Sequence, residues 1–231
     1  MCGRYSLAAT NLGEVRARFP IGEAVELRTR YNVAPGDEVL AVTTDREGAS
    51  RGELLRWGLV PSWAQTPDIG LKMINARVET VAERPAFRSQ LERFRCLVIA
   101  DGFYEWQRMP EGHKQAFHIT RTDGELFAFA GLWSIWHGDD DQSLRTCTIL
   151  TTAANPALAA VHDRMPIILT RSQEAAWLGR DAAPHELLSE VRGLPATDVE
   201  LHPVGAAVND ARYDGPECLE PPVPSRQQAL F

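Results

Sequence analysis

The chain has 231 residues, of which 44% are hydrophobic and 24% are charged, a composition typical of globular proteins with a substantial apolar core. Its formal net charge of −7 argues against a protein that coats nucleic acid through a uniformly basic surface. No apolar run approaches the roughly 20 residues of a membrane helix, and the first residues lack the apolar segment of a signal peptide. We therefore expect a cytoplasmic protein that does not bind membranes.

Short helices and strands are predicted along the chain from apolar periodicity and turn residues. Helices are expected at residues 10–19, with Asn11 as cap, at 80–94, with Pro85 opening or kinking the helix, at 171–178 and at 184–192. A turn is expected at residues 31–36, and strands at 38–44, 54–60, 96–100, 116–120, 126–130, 146–151 and 167–169.

The order of these elements indicates the fold class. The chain shows no internal repeat and no regular strand–helix alternation, which argues against a parallel α/β fold. We predict one β-rich α+β domain over residues 1–231, with an antiparallel sheet or open barrel and short peripheral helices. Residues 214–231 begin with a Pro- and Glu-rich stretch and are expected to form an extended C-terminal strap or tail.

The four cysteines, Cys2, Cys96, Cys147 and Cys218, lie far apart and form no C-x-x-C pair. This spacing suggests neither a zinc site nor a redox motif, so we expect free thiols and no metal or other cofactor. Cys96 and Cys147 lie in apolar runs and are predicted to be small core residues. Cys2 belongs to no such run.

Cys2 could have a reactivity that the other cysteines lack, because it follows the initiating methionine. Removal of Met1 would expose an α-amine and a thiol on adjacent carbons, a pair that condenses with an aldehyde to an imine and then to a thiazolidine ring. The α-amine has a pKa of about 7.7–8.0 and lysine about 10.4, so roughly a tenth of the α-amine is neutral at pH 7 against about one lysine in 2,500. A single cysteine near a start codon is also a common accident.

Three polar segments are candidates for the rest of a site. If residues 75–79 are extended, Asn75, Arg77 and Glu79 share one face, as in a polar cleft or an ordinary solvated surface. Glu105 lies between two aromatic residues, where desolvation would raise its pKa, unless it is a surface glutamate. His162 lies in a loop with a carboxylate and an arginine, which suits a proton-transfer residue or a structural histidine.

The basic residues are strongly biased, since only Lys72 and Lys114 are lysine and all the others are arginine. Arginine recognises phosphate with a planar fork and does so better than lysine. A GC-rich genome gives the same bias, and composition does not separate the two explanations.

Taken together, these motifs resemble the SOS response-associated peptidase family, whose members sense abasic sites in DNA. The matching segments occur in the same order along nearly the whole chain. They are residues 2–5, 30–35, 56–63, 74–80, 100–106 and 162–166, with further similarity at 208–209 and 214–218.

The resemblance implies roles for matching residues only. Cys2 would be the nucleophile through its amine and thiol, Asn75 would orient the amine, and Glu105 would move protons. His162 would help to open the closed sugar and later assist reversal. The implied DNA contacts are Arg4, Arg77 and Arg164 for phosphates, Trp63 and Pro35 for flanking bases, and Thr151 for a phosphate. The chain departs from the family in Tyr5, where phenylalanine is common, and in the acidic loop 137–141, which should lie away from DNA.

Three functions are therefore open. The first is a repair protein, expected to be a monomer, that crosslinks to abasic sites in single-stranded DNA, shields them, and associates with the nucleoid when bound. The second is a cysteine peptidase with an N-terminal nucleophile, acting on its own Met1 or on other peptides. The third is a noncatalytic reader of modified bases. The replication machinery is a conceivable partner on which the sequence carries no signal.

Overall fold

A computed structural model describes residues 2–8, 12–139, 142–180, 182–191 and 193–223. Within these ranges the chain forms thirteen strands and four α-helices. The strands are β1 (Tyr5–Leu7), β2 (Arg30–Val33), β3 (Glu38–Thr44), β4 (Ser50–Trp57), β5 (Asn75–Arg77), β6 (Arg95–Ala100), β7 (Gly102–Arg108), β8 (Lys114–Arg121), β9 (Phe127–His137), β10 (Ser143–Ala153), β11 (Arg164–Pro166), β12 (Ile168–Leu169) and β13 (Val199–Val204). The helices are α1 (Leu12–Arg18), α2 (Pro85–Arg93), α3 (Arg171–Leu178) and α4 (Pro184–Glu190), with short 3₁₀ helices at Pro67–Lys72, Ala196–Asp198, Ala206–Asn209 and Pro216–Leu219.

The strands form two sheets. One has five antiparallel strands in the order β13-β8-β7-β1-β2. In the other, β3, β4, β10, β9 and β6 pair in a closed ring, and β5, β11 and β12 attach to it. The predicted β-rich α+β class is confirmed. The parallel pairing of β10 with β4 and β5 was not predicted, because it joins segments far apart in sequence.

Both faces of the barrel are buried, as the alternation in β3 shows. Val39 and Ala41 join an apolar cluster shared with the five-stranded sheet, whereas Leu40 and Val42 join a cluster shared with the helices. Successive strand residues point to opposite faces, so a strand buried on both sides must be apolar almost throughout. This explains why β3 was readable from its apolar run.

Tyr5 connects the two sheets. Its ring meets the rings of Trp57 on β4 and Phe129 on β9 edge to face, with centroids 5.4 and 5.7 Å apart. Such aromatic pairs add about 0.5–1.5 kcal/mol each beyond burial. Tyr5 therefore serves as a buried packing residue at this position.

Several sequence predictions are confirmed. The strand at residues 38–44 and the helix at 171–178 have the expected bounds. Thr170 and Gln173 form a capping box at the start of α3, which explains its clear signal. Cys96 and Cys147 are buried, and all four cysteines are free.

Other boundaries differ from the predictions. Helix α2 begins at Pro85 instead of residue 80, because proline suits the first helical turn and disfavours a helical residue before it. Strand β4 ends at Trp57 and not at residue 60. The predicted turn at residues 31–36 is in part strand β2. Helix α1 ends at Arg18, and the proposed cap Asn11 lies outside the described residues.

Strands β1, β2, β7 and β13 were not predicted. Their segments mix polar residues with aliphatic or aromatic ones, and β7 carries charged residues within a strand that is largely buried. Tertiary pairing overrides a weak local signal in such segments. No helix in the described part of the chain is both long and apolar enough to span a membrane. A single domain over residues 1–231 stays a prediction.

Gly58 marks a close approach of two backbone segments. Its φ is +127°, and a Cβ there would lie 2.7 Å from the carbonyl oxygen of Gly70. Gly48, in the β3–β4 turn, also has a positive φ, but a Cβ would meet nothing within 4 Å. Both glycines therefore have a backbone conformation that would strain any other residue, and they differ in the space available for a side chain.

We expect Gly58→Ala to cost about 1–3 kcal/mol more stability than Gly48→Ala, because only the first adds an overpacked contact to the strain of a positive φ. Urea unfolding of both variants measures the difference. Equal losses would show that the approach of Gly70 relaxes without cost.

Candidate functional site

Cys2 lies buried at the start of the chain, three residues before β1 begins to pair with β2 and β7. Its Sγ lies 3.7 Å from the carbonyl oxygen of Arg4. Burial raises the pKa of the Cys2 thiol well above its ordinary value, and the negative charge of Glu105 raises it further. The thiol is thus held in its neutral form at pH 7.

Asn75 contacts Cys2 directly. Its Nδ2 donates a hydrogen bond to the Cys2 carbonyl oxygen at 2.7 Å. Asn75 opens β5, whose parallel pairing with β10 places it opposite Ile149. Its Oδ1 is buried and has no hydrogen-bond partner among the described residues, which leaves one strong acceptor beside the backbone of Cys2.

Glu105 is 3% exposed, in the middle of β7. Burial raises the pKa of its carboxyl. The sequence suggested that Tyr104 and Trp106 would desolvate Glu105. Strand alternation instead turns these two rings to the opposite face, where both join the cluster formed with Val208 and Cys218.

His162 lies just before β11, and its side chain is 28% exposed. The backbone N–H of Arg164 donates to its Nδ1 at 2.9 Å, and the Asp163 carboxylate also lies 2.9 Å from Nδ1. His162 is within electrostatic reach of Glu105, as Glu105 is of Cys2.

The fold therefore brings Cys2, Asn75, Glu105 and His162 together from four distant segments. Two of them come from the five-stranded sheet or its lead-in segment, and two from strands or loops attached to the barrel. In the described part of the chain, no group of three His, Cys, Asp or Glu side chains is arranged to hold a metal ion. The arrangement offers a nucleophile, a buried acid and a neutral acceptor.

The three arginines predicted to bind phosphate differ in their environments. Arg77 is exposed at the end of β5, and its side chain has no hydrogen-bond or ion-pair partner within the described ranges. Arg4 is half-buried, and its Nη1 donates to Asn32 Oδ1 at 2.9 Å and to the Val208 carbonyl at 2.8 Å. Arg77 is therefore the most available of the three for a ligand.

Arg164 is engaged on both prongs of its fork. Its Nη1 and Nη2 donate to the two carboxylate oxygens of Glu79 at 2.7 and 2.9 Å, and Nη2 also donates to the Thr151 carbonyl at 2.7 Å. The ion pair with Arg164 lowers the pKa of Glu79. Thr151 is fully buried, which weighs against the predicted phosphate contact of its side chain.

The residues predicted to meet bases are better exposed. Trp63 is 60% exposed in the loop after β4, an unusual position for so large an apolar ring. Pro35 is half-buried in the β2–β3 turn. Of the acidic loop, residues 140 and 141 lie outside the described residues.

Sequence reasoning missed how the strap is held. Asp214 accepts hydrogen bonds from the backbone N–H groups of Tyr31 and Asn32 at 2.6 and 2.8 Å and pairs with Arg30. Asn32 Nδ2 donates to the carbonyls of Asp210 and Tyr213. Residues 30–35 and 214–218 both lie in segments that resemble the family. That common resemblance was the signal in the sequence that could have pointed to this contact.

A partly buried polar cluster that holds β1 was also missed. Ser6 Oγ donates to Asp101 Oδ1 at 2.6 Å and lies 2.8 Å from His118 Nε2, and Asp101 also accepts from the Ala8 N–H at 2.5 Å. Burial lowers the pKa of His118 to about 4. The neutral His118 ring and the Asp101 carboxylate thus fix β1 against β7 and β8.

Comparisons with known proteins find relatives that match most of this chain. Similar proteins include the abasic site processing protein YoqW of Bacillus subtilis, 40% identical over 95% of this chain and 99% of the relative. The abasic site processing protein YedK of Escherichia coli is 33% identical over 96% of this chain and its own full length. HMCES of Xenopus tropicalis, another abasic site processing protein, is 30% identical over 86% of this chain and 68% of the relative.

The fold is also found among solved structures. A crystal structure of a protein from Bacteroides thetaiotaomicron matches with a TM-score of 0.86 over 96% of this chain and all of that chain, at 23% identity. The family model described as SOS response associated peptidase matches residues 1–211. The chain therefore belongs to the SOS response-associated peptidase family.

Proposed function

We propose that this protein processes abasic sites in single-stranded DNA by bonding to them covalently through Cys2 once Met1 has been removed. The observation that carries the proposal is the hydrogen bond from Asn75 to the Cys2 carbonyl, beside the buried carboxyl of Glu105. The names of relatives at 30–40% identity support the substrate.

The amine would attack first. Burial keeps the Cys2 thiol neutral, whereas about a tenth of an ordinary α-amine is neutral at pH 7. Asn75 Oδ1 would accept a hydrogen bond from this amine and aim its lone pair at the aldehyde carbon. The amine nitrogen bonds to that carbon, and the aldehyde oxygen leaves as water, giving an imine.

The thiol would then close the ring. The sulfur bonds to the imine carbon, and the thiol proton ends on the nitrogen, so the thiazolidine forms without any further reactant. Glu105 suits both steps, because burial raises its pKa towards the range where one carboxyl both gives and takes protons. His162 would act on the closed sugar, helping it open to the aldehyde, and later assist reversal.

DNA would be held by a local basic patch and not by overall charge. The chain carries a net charge of −7, so attraction depends on Arg77, supplemented by Arg4 and Arg164 if DNA displaces their present partners. Exposed Trp63, with Pro35, would stack against flanking bases. Paired DNA should bind less well, since unstacking the bases costs a few kcal/mol.

The two rival functions are less well supported. A cysteine peptidase needs a reactive thiolate, and burial here opposes it; removal of Met1 by the protein itself is compatible with the main proposal. A noncatalytic reader has no need of a buried carboxyl beside the N-terminal residue. A denaturing gel with abasic single-stranded DNA separates the three. A covalent protein–DNA band supports crosslinking, and binding of DNA without such a band supports a reader. Cleavage of added peptides supports a peptidase.

The proposed chemistry also suggests a compartment, an oligomeric state and a source of the DNA substrate. A protein acting on exposed abasic sites would work as a cytoplasmic monomer that joins the nucleoid when bound. The replication machinery, which generates single-stranded DNA, is a candidate source of its substrate.

Cys2→Ala should still form an imine, because the α-amine remains, but no thiazolidine. Its adduct should survive a denaturing gel only after trapping with borohydride. Cys218→Ala, which removes another buried thiol, serves as the control and should crosslink normally. A stable Cys2→Ala crosslink without reductant would exclude ring closure, and blocking Met1 removal should abolish both products.

Glu105→Gln should slow crosslinking by about 10²–10⁴-fold, the usual contribution of general acid–base catalysis. The matched change Glu111→Gln, in the exposed β7–β8 turn, should leave the rate unaltered. Single-turnover rates at saturating protein report the effect. A loss below threefold for Glu105→Gln would assign proton transfer to another group.

Each phosphate contact contributes roughly −0.7 to the log–log salt slope of crosslinking at subsaturating protein, so Arg77 and Arg4 predict a slope of about −1.4, and a contact by a displaced Arg164 would bring it to about −2. Arg77→Ala should flatten that slope by roughly 0.7 and weaken capture similarly on all sequences. Arg46→Ala, an equal charge change in the exposed β3–β4 turn, provides the control. Equal slopes for the wild type and Arg77→Ala, or equal rates on single-stranded and paired DNA, would contradict binding of single-stranded DNA by a local basic patch.

A further inference from the structure

Glu79 and Arg164 form a bidentate ion pair beside the site. Both prongs of the guanidinium meet both carboxylate oxygens at 2.7 and 2.9 Å, and a further bond reaches the Thr151 carbonyl on β10. The Arg164 side chain is 12% exposed, and its Nε is buried without a partner in the described part of the chain. A guanidinium so enclosed is anchored in place, and a forked pair fixes orientation as well as distance.

The same residue holds His162 through its backbone. The Arg164 N–H donates to His162 Nδ1 at 2.9 Å, which requires a lone pair on Nδ1. The Asp163 carboxylate competes for Nδ1 and would favour a proton there. Because the Asp163 side chain is 84% exposed, water satisfies it in other rotamers, whereas the Arg164 N–H is anchored by its own side chain.

We propose that Glu79 is a positioning residue, which fixes Arg164 so that the Arg164 N–H holds the neutral His162 ring with its proton on Nε2. This inference rests on the proposed function. It makes His162 a neutral hydrogen-bond donor to the sugar oxygen released on ring opening, while Glu105 moves the protons. A neutral imidazole used as an electrophile is an established device in enzymes.

A competing interpretation assigns Arg164 to a phosphate, with Glu79 as a competitor that DNA displaces. The two interpretations predict opposite results for Glu79→Gln. Loss of a competitor frees a cation, which speeds capture and steepens the salt dependence. Loss of a positioning residue slows the reaction of the closed sugar and leaves the salt slope unchanged.

The first measurement needs no DNA, and it therefore tests the positioning even if crosslinking fails. Nitrogen-15 NMR of protein labelled at histidine identifies which ring nitrogen carries the proton, and His162→Gln assigns the signal. The wild type should show the neutral ring protonated on Nε2. Glu79→Gln should show a mixture of tautomers, while Glu125→Gln, which breaks the exposed pair with Arg171, should match the wild type.

The second measurement compares natural abasic sugars with a pre-opened aldehyde analogue on the same single strand. Glu79→Gln should lower the maximal rate roughly tenfold on the natural sugar, within the ~10²-fold that a 1 Å misplacement costs, and less than twofold on the aldehyde. Arg164→Lys, which keeps the charge and loses the forked pair, should show the same rate changes as Glu79→Gln. The double variant, with both substitutions, should react no more slowly than either single variant. Thermal melts check that all variants fold.

Faster capture or a steeper salt slope in Glu79→Gln would overturn the inference in favour of the phosphate contact. An unchanged His162 tautomer in a folded Glu79→Gln protein would overturn it as well. Absence of a crosslink with the wild-type protein would instead refute the proposed function, while the tautomer measurement would still decide the positioning.

Discussion

The pairing of β1 between β2 and β7 is the constraint on which the site depends. This strand begins at Tyr5 and lies within the five-stranded sheet, not at its edge, so backbone ladders hold it from both sides. Ser6, Asp101 and His118 add a partly buried cluster of polar contacts. Because Cys2 precedes β1 by only three residues, its position follows from that of the strand. A reactive group at a chain end is otherwise poorly placed, since termini are the least ordered parts of most domains.

Burial gives the site its chemical character. The same desolvation raises the pKa values of Cys2 and Glu105, which keeps the thiol neutral and increases the fraction of the carboxyl that carries a proton to donate. It also leaves Asn75 Oδ1 without a partner among the described residues, and an unsatisfied buried acceptor costs about 1–3 kcal/mol. Such a cost is expected where a structure is prepared for a group that arrives later, which in the proposed function is the α-amine of Cys2.

The three arginines around the site differ in their hydrogen-bond partners. Arg4 ties the N-terminal segment to the 3₁₀ helix Ala206–Asn209 through the Val208 carbonyl, and Arg164 ties the His162 loop to Glu79 and β10. Arg77 alone among the three has no partner within the described ranges. In a chain of net charge −7, the proposed function would therefore confine attraction for DNA to a small area and limit nonspecific binding.

The sequence by itself determined the family, the β-rich class, and the candidates Cys2, Asn75, Glu105 and His162, because each lies in a short contiguous motif. It also determined β3 and α3, whose apolar run and capping box are local signals. Only the tertiary structure decided that Tyr104 and Trp106 face away from Glu105, and that Arg164 is paired with Glu79 while Arg77 is not. The parallel pairing of β5 with β10 that places Asn75 was likewise invisible. These features depend on contacts between residues tens of positions apart, and neither periodicity nor composition carries information about which distant segments meet.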